Sequence, residues 1–260
     1  MDFEIQEKIA LVTGGTHGIG RAIVFALAKE GCQVAFCGRN PERLASTLAE
    51  LEQRGHRAIG ITADVFNRED IDRVVDKVCQ TWGSIDILVN NVGGGGRWGS
   101  EVIEETPEKV WMEVYEKNVL AAMRFTMKAI PGMRQKKWGR IITITSICGL
   151  EGGCRPWFGM AKAAQTSMMK NLAQNKALVR DGITFNSVAP GAIMIPDTGW
   201  AEAEQRDPVG FAQLLDESYP LGRLGTTEEV ADLVVFIASK RSALINGAAI
   251  VVDGGESNIM

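Results

Sequence analysis

Thr13-Gly14-Gly15-Thr16-His17-Gly18-Ile19-Gly20 decides how this chain is read. It follows an apolar run, Ile9-Ala10-Leu11-Val12, with the composition of a buried strand. It opens a segment over 19–29 in which Ile23, Phe25, Ala26 and Leu27 recur at helical spacing. A strand, a glycine turn and a helix are the setting that a dinucleotide-binding turn requires. Gly14 permits the tight turn, Gly18 lets backbone approach a pyrophosphate, and Gly20 lets the helix pack close to the strand. The helix start then offers free N–H groups and the positive end of a dipole to phosphates. A plain strand-to-helix turn is the alternative. The position of the trio directly after the first strand favours the binding reading.

With 260 residues, one α/β domain with a sizeable core is the simplest organisation. The net charge is −4 and the charges are mixed in sign along the chain, so no global field favours nucleic acid. No run of about eighteen apolar residues occurs, so a membrane span is not expected. Met1-Asp2-Phe3-Glu4 is acidic and unlike a signal peptide. Cys32, Cys37, Cys79, Cys148 and Cys154 show no CxxC or metal spacing, so inert thiols in a reducing cytoplasm are expected. His17 and His56 are too few and too far apart for a histidine metal site or a histidine-based triad.

Gln33-Val34-Ala35-Phe36-Cys37 reads as a second strand, and Gly38-Arg39-Asn40-Pro41 ends it. In a dinucleotide-binding fold this strand end faces the adenosine ribose. An acidic residue there accepts a free 2′-hydroxyl and repels a 2′-phosphate. The chain carries Gly38 and Arg39 instead. Arginine pairs a phosphate bidentately, and His17 offers a second donor, so NADP(H) is expected over NAD(H). The alternative is a solvated loop arginine.

Helices are expected over 41–54 and 69–81, with a strand near 58–61 between them. Asp64-Val65 follows that strand, where an adenine could hydrogen-bond; a turn or helix-capping aspartate is a compatible use. A fourth strand, 85–89, ends in Asn90-Asn91-Val92 and four glycines, which suggests close backbone approach to a ligand. Segment 107–134 is helical and is expected to break at Pro131-Gly132. A fifth strand, 140–145, carries Ser146 at its end. A helix from Pro156, a sixth strand over 183–188 ending in Ala189-Pro190-Gly191, a helix capped by Thr226 or Thr227, and a last strand over 248–252 complete the chain. Strand and helix alternate throughout. The fold class is therefore α/β, a doubly wound parallel sheet of Rossmann type with helices on both faces.

These ordered motifs resemble the short-chain dehydrogenase/reductase family, in its 3-oxoacyl-carrier-protein reductase-like branch, from about Lys8 to Gly255. The motifs are the glycine turn at 13–20, Asp64-Val65, Asn90-Asn91-Val92-Gly93, Asn118, Ser146, Lys162, Pro190-Gly191 and Asp253-Gly254-Gly255. The resemblance implies that the turn residues Gly14, Thr16, His17, Gly18, Ile19 and Gly20 cradle the cofactor. Asn91 and Gly93 would line its ribose side, and Pro190, Gly191 and Ile193 its nicotinamide. Lys162 would hold the nicotinamide ribose, Asn118 a water in a proton relay, and Ser146 the substrate oxygen. The resemblance also implies a homotetramer, with helices near 107–134 and 156–179 at the interfaces.

Two positions depart from the family pattern. The family has a catalytic tyrosine four residues before its lysine; here Phe158 stands there and has no proton to give. Positions 158 and 162 still share a helix face. Three readings are open: an engineered substitution on an ordinary reductase, a natural Phe with another proton donor, or a cofactor-binding pseudoenzyme with a regulatory or scaffold role. Tyr115 shares roughly the helix face of Asn118 without a reason to enter the site, while Tyr219 lies in a variable segment that could reach it. Arg155-Pro156-Trp157-Phe158 is a bulky run that favours a natural Phe in a divergent pocket, and simple packing of Trp157 against the sheet is the alternative. The second departure is Ile195, where the family often has a cofactor-binding threonine; Thr198 is the nearest substitute. Segment 195–218 is expected to form a helical lid over the substrate pocket. The expected activity is hydride transfer between NADP(H) and a ketone/alcohol substrate, of 3-oxoacyl type or another apolar carbonyl.

Overall fold

The computed structural model describes residues 2–259. Seven strands form one parallel sheet in the order β3-β2-β1-β4-β5-β6-β7. They are β1 (Ile9–Thr13), β2 (Gln33–Gly38), β3 (Ala58–Thr62), β4 (Ile87–Asn90), β5 (Gly139–Ile144), β6 (Ile183–Pro190) and β7 (Ala249–Val252). Between them run α1 (Gly18–Lys29), α2 (Pro41–Gln53), α3 (Arg68–Trp82), α4 (Glu108–Tyr115), α5 (Ala121–Lys136), α6 (Pro156–Ala173) and α7 (Lys176–Val179). After β6 come α8 (Gly199–Arg206), α9 (Pro208–Ser218) and α10 (Thr227–Ala238). No helix is long and apolar enough to cross a membrane, among the described residues.

Both faces of the sheet are covered, which is why its strands are continuously apolar rather than alternating. Side chains along β1 point to opposite faces in turn. Ala10 and Val12 join one apolar layer with Ile23 and Leu27 of α1 and Val230 and Val234 of α10. Ile9 and Leu11 join the other with Val74 and Val78 of α3, Phe125 of α5 and Met169 of α6. Each fully buried side chain of this size contributes about 1.5–3 kcal/mol of transfer free energy.

Local chemistry sets the helix ends. Asn40 accepts from the Arg43 N–H at 2.9 Å, with Pro41 in the first turn. Thr226, rather than Thr227, caps α10, in a capping box with Glu229.

Two expectations are corrected and one alternative is excluded. The helix does not break at Pro131-Gly132; α5 runs through both to Lys136. Proline deletes one N–H, and its would-be acceptor belongs to Met127. Both residues are exposed, so water can satisfy that carbonyl. The interruption lies upstream instead, as one π turn over Glu116–Leu120. The cysteines are not all free thiols: Cys148 and Cys154 are disulfide-bonded, with Cα atoms 5.7 Å apart. The loop between β5 and α6 folds back on itself there, which spacing alone does not reveal. Trp157 does not pack on the sheet; it is fully buried against Trp111 and Val114 of α4.

Burial raises the Cys32 thiol to about 12 and the Cys37 thiol to about 11, so neither forms a reactive thiolate near neutrality. In the native protein a thiol reagent is expected to modify Cys79 alone, the exposed free cysteine. Unfolding without reductant should raise the count to three, and reduction to five. Five reactive thiols without reductant would remove the Cys148–Cys154 bond from the structure.

Candidate active site

The chain reverses direction across the sheet between β1 and β4, and a crevice opens beyond their carboxyl ends. Thr13 and Asn91 tie its floor. The Thr13 hydroxyl accepts from the backbone N–H of Asn91 at 3.0 Å and of Val92 at 3.1 Å. The Asn91 amide donates to the carbonyls of Thr13 at 2.9 Å and Gly14 at 3.1 Å. A Cβ at Gly20 would lie 2.2 Å from the Gly14 oxygen, so only glycine lets α1 begin this close to the turn.

One end of the crevice is a cavity of about 330 Å³. It gathers Gly14, Thr16 and His17 from the turn, Arg39 from the end of β2, and Asp64 and Val65 from the end of β3. Asn91 and Gly93 complete it from the end of β4. All eight of these sequence-designated residues therefore meet in one place. Asp64 also shapes its own turn, accepting from the Phe66 N–H at 3.1 Å.

This cavity is cationic. Arg39 faces it and makes no ion pair among the described residues. Lys117, on the π turn, reaches in beside it, with its ammonium 4.8 Å from the Trp98 ring centre. Burial first, and Arg39 second, hold the Lys117 pKa below its ordinary value. The Nε2 of His17 is buried without a hydrogen-bond partner. An orphaned nitrogen and two cations beside an uncapped helix start fit a phosphorylated dinucleotide such as NADP(H).

The other end widens to about 590 Å³. Gly18, Ile19 and Gly20 form one wall, and Pro190, Gly191 and Ile193 another. Ser146, Phe158 and Lys162 stand between them. Lys162 is buried, and its ammonium donates to the Ile144 carbonyl at 3.0 Å. Burial, with a smaller contribution from Lys117, lowers its pKa to about 7. A Cβ at Gly93 would lie 2.9 Å from this ammonium and 2.8 Å from the Asn118 side-chain oxygen, so glycine is required for the loop to pass. The Ser146 hydroxyl accepts from the Cys148 N–H at 3.2 Å, which fixes its direction and leaves its proton free to be donated.

The Phe158 ring centre is 5.6 Å from the Lys162 ammonium. Asn118 is not on the cleft wall. It is fully buried behind the glycine loop, clamping Gly94 in both directions at 2.8 and 3.2 Å. Its own carbonyl accepts from Gln165 at 2.9 Å.

Neither tyrosine lines the cleft. Tyr115 packs in the Trp157 cluster, and Tyr219 stands edge-on to Trp200 with ring centres 6.3 Å apart. Ile195 and Thr198 both line the cleft, but the Thr198 hydroxyl donates to the Ile195 carbonyl at 2.7 Å. Three residues escaped the sequence reading. Lys117 precedes Asn118, and no local pattern in the sequence aims it at the cleft. Arg97 follows the glycine run and lines the wide end. Glu256, three residues after Asp253, accepts from the Ala192 N–H at 2.6 Å and so secures the loop after β6.

Known proteins are similar to this chain in sequence and fold. A family profile described as enoyl-(acyl carrier protein) reductase matches residues 14–257. The 3-oxoacyl-[acyl-carrier-protein] reductase FabG of Escherichia coli is 35% identical over 256 residues, covering 98% of each chain. The dehydrogenase subunit BbsD of Thauera aromatica, which acts on (2S)-[(R)-hydroxy(phenyl)methyl]succinyl-CoA, is 33% identical over 97% of this chain and 98% of its own. The L-sorbose reductase of Gluconobacter frateurii, solved with NADPH and L-sorbose, superposes with a TM-score of 0.92 at 34% identity over the full length of both chains. The chain belongs to the short-chain dehydrogenase/reductase family of oxidoreductases.

Proposed function

We propose that this protein is an NADP(H)-dependent oxidoreductase acting on a small ketone or its alcohol. The observation that carries this reading is the convergence of Ser146 and Lys162 in a cleft continuous with a cationic, partly orphaned phosphate cradle. NADP(H), when bound, supplies or accepts the hydride. Arg39 and His17 bind the 2′-phosphate, and the backbone from Gly14 to Gly20 takes the pyrophosphate. Asn91 and Gly93 line the ribose, and Pro190, Gly191 and Ile193 flank the nicotinamide. Ser146 donates to the substrate oxygen and Lys162 holds the mobile proton, while Asn118 fixes the loop over both. Segment 195–218, which forms α8 and α9, closes over the substrate. A homotetramer is part of the reading, supported by exposed Met112, Met123, Met127 and Met160 on α4, α5 and α6. So is a cytoplasmic setting, which the Cys148–Cys154 bond opposes.

Replacing Arg39 with Ala should weaken NADPH binding by about 10- to 100-fold and leave NADH binding within about twofold, as a lost charge-assisted pair implies. Calorimetric titration of both cofactors checks this, and equal weakening of both would remove Arg39 from phosphate recognition.

With Phe at 158, the proton for the developing alkoxide comes from Lys162 through water. A lysine ammonium with a pKa of about 7 is protonated below that pH and neutral above it. Ketone reduction should therefore slow as pH rises through about 7, and alcohol oxidation should quicken. A flat profile for reduction between pH 6 and about 8 would exclude Lys162 as the donor.

The missing hydroxyl also favours a second reading, a cofactor-binding protein without turnover, whether natural or made by a Tyr-to-Phe change. Phe158→Tyr separates the two. In a working enzyme of unusual mechanism, NADPH oxidation over a panel of ketones and 3-oxoacyl thioesters is already measurable with Phe. In a silenced frame it emerges only in the variant, by about 10²–10⁴-fold. If both forms bind NADPH and neither turns over, the second reading is the correct one for that panel.

A further inference from the structure

Arg97 lines the wide end of the cleft with its guanidinium exposed and engaged in no ion pair among the described residues. The same end carries Lys162, and no Asp or Glu lines it among the described residues. The cleft is therefore cationic at both ends, beyond what the cradle for the dinucleotide uses.

The position of Arg97 is built into the fold. Gly199 opens α8 without a positive φ, so its backbone does not call for glycine. Yet a Cβ there would lie 1.4 Å from the Arg97 Nη1 and 2.0 Å from its Cζ. Glycine at 199 leaves the space in which the guanidinium lies flat. The charge thus reaches from the glycine loop after β4 to the start of α8. Trp98, Trp200 and Phe158 line the same end of the cleft. A planar guanidinium whose donors are not engaged by the protein can pair a carboxylate or phosphate bidentately.

We infer that the substrate carries an anionic group, a carboxylate or a phosphate, which Arg97 binds while Ser146 holds the carbonyl oxygen. This rests on the oxidoreductase reading above and names the substrate class for that site.

The test is calorimetric titration of matched pairs into the protein saturated with NADP⁺. The pairs are benzoylformate with methyl benzoylformate, and dihydroxyacetone phosphate with dihydroxyacetone. In the wild-type protein one anionic member should bind at least about tenfold tighter than its neutral partner. Preference in the first pair assigns a carboxylate, in the second a phosphate. In Arg97→Met the ratio should fall to within about twofold of one, and Arg97→Lys should restore part of it, because lysine keeps the charge without the planar fork. Gly199→Ala, which keeps the charge and displaces it, should lower the ratio as well. The inference is overturned if neither pair shows a preference, if Arg97→Met retains it, or if Arg97→Met weakens NADP⁺ instead, which would assign the guanidinium to the cofactor. Failure of NADP⁺ to bind wild type would instead sink the oxidoreductase reading. The same pairs titrated into the protein alone still report whether Arg97 selects an anion.

Discussion

The tie between Thr13 and Asn91 is the constraint on which the site depends. Parallel strands that carry their crossovers in opposite directions leave their carboxyl ends uncovered, and the freed backbone groups there need partners. One hydroxyl and one carboxamide supply them, joining the end of β1 to the end of β4. That geometry permits no side chain at position 20, and it aims the turn and the glycine run at the same volume. Removing either partner would leave buried backbone groups unpaired, at a cost of about 1–3 kcal/mol each.

The interior of the crevice runs against the rest of the fold. Elsewhere buried charges find partners, as Asp86 does in Lys136 and the Ile9 N–H. In the crevice Arg39, Lys117, Lys162 and Arg97 gather with few counter-charges, and His17 is left orphaned. Like charges in low dielectric destabilise the folded state until an anion arrives. Burial and Lys117 together hold the Lys162 ammonium at the edge of deprotonation. An anionic ligand beside Lys117 would relieve part of that repulsion, so ligand binding and the charge state of Lys162 are linked.

Much of this was legible in the sequence, for an identifiable reason. In a parallel sheet every strand ends on the same edge, so residues just after apolar runs converge whatever the details of packing. Gly14, Arg39, Asp64, Asn91, Ser146 and Pro190 were all placed in that way. Residues whose direction depends on a neighbour were not. Arg97 and Lys117 project from a loop and a π turn whose paths are set by Trp98, Asn118 and the glycine run. The turn of Trp157 away from the sheet depends on Trp111 and Val114, which no local pattern reveals. Pro131 misled because a helix-breaking residue is harmless where its orphaned carbonyl faces water.

The π turn over Glu116–Leu120 places one extra residue between α4 and α5. It puts Lys117 on the cleft side and Asn118 behind the loop, while α4 holds Trp157 and α5 holds the sheet. A helix advances about 100° per residue. Loss of one residue here would swing the two helices by that angle relative to one another, and no single substitution could restore both contacts. The length of the segment is thus fixed independently of its letters, and descendants of this chain should show no insertion or deletion here.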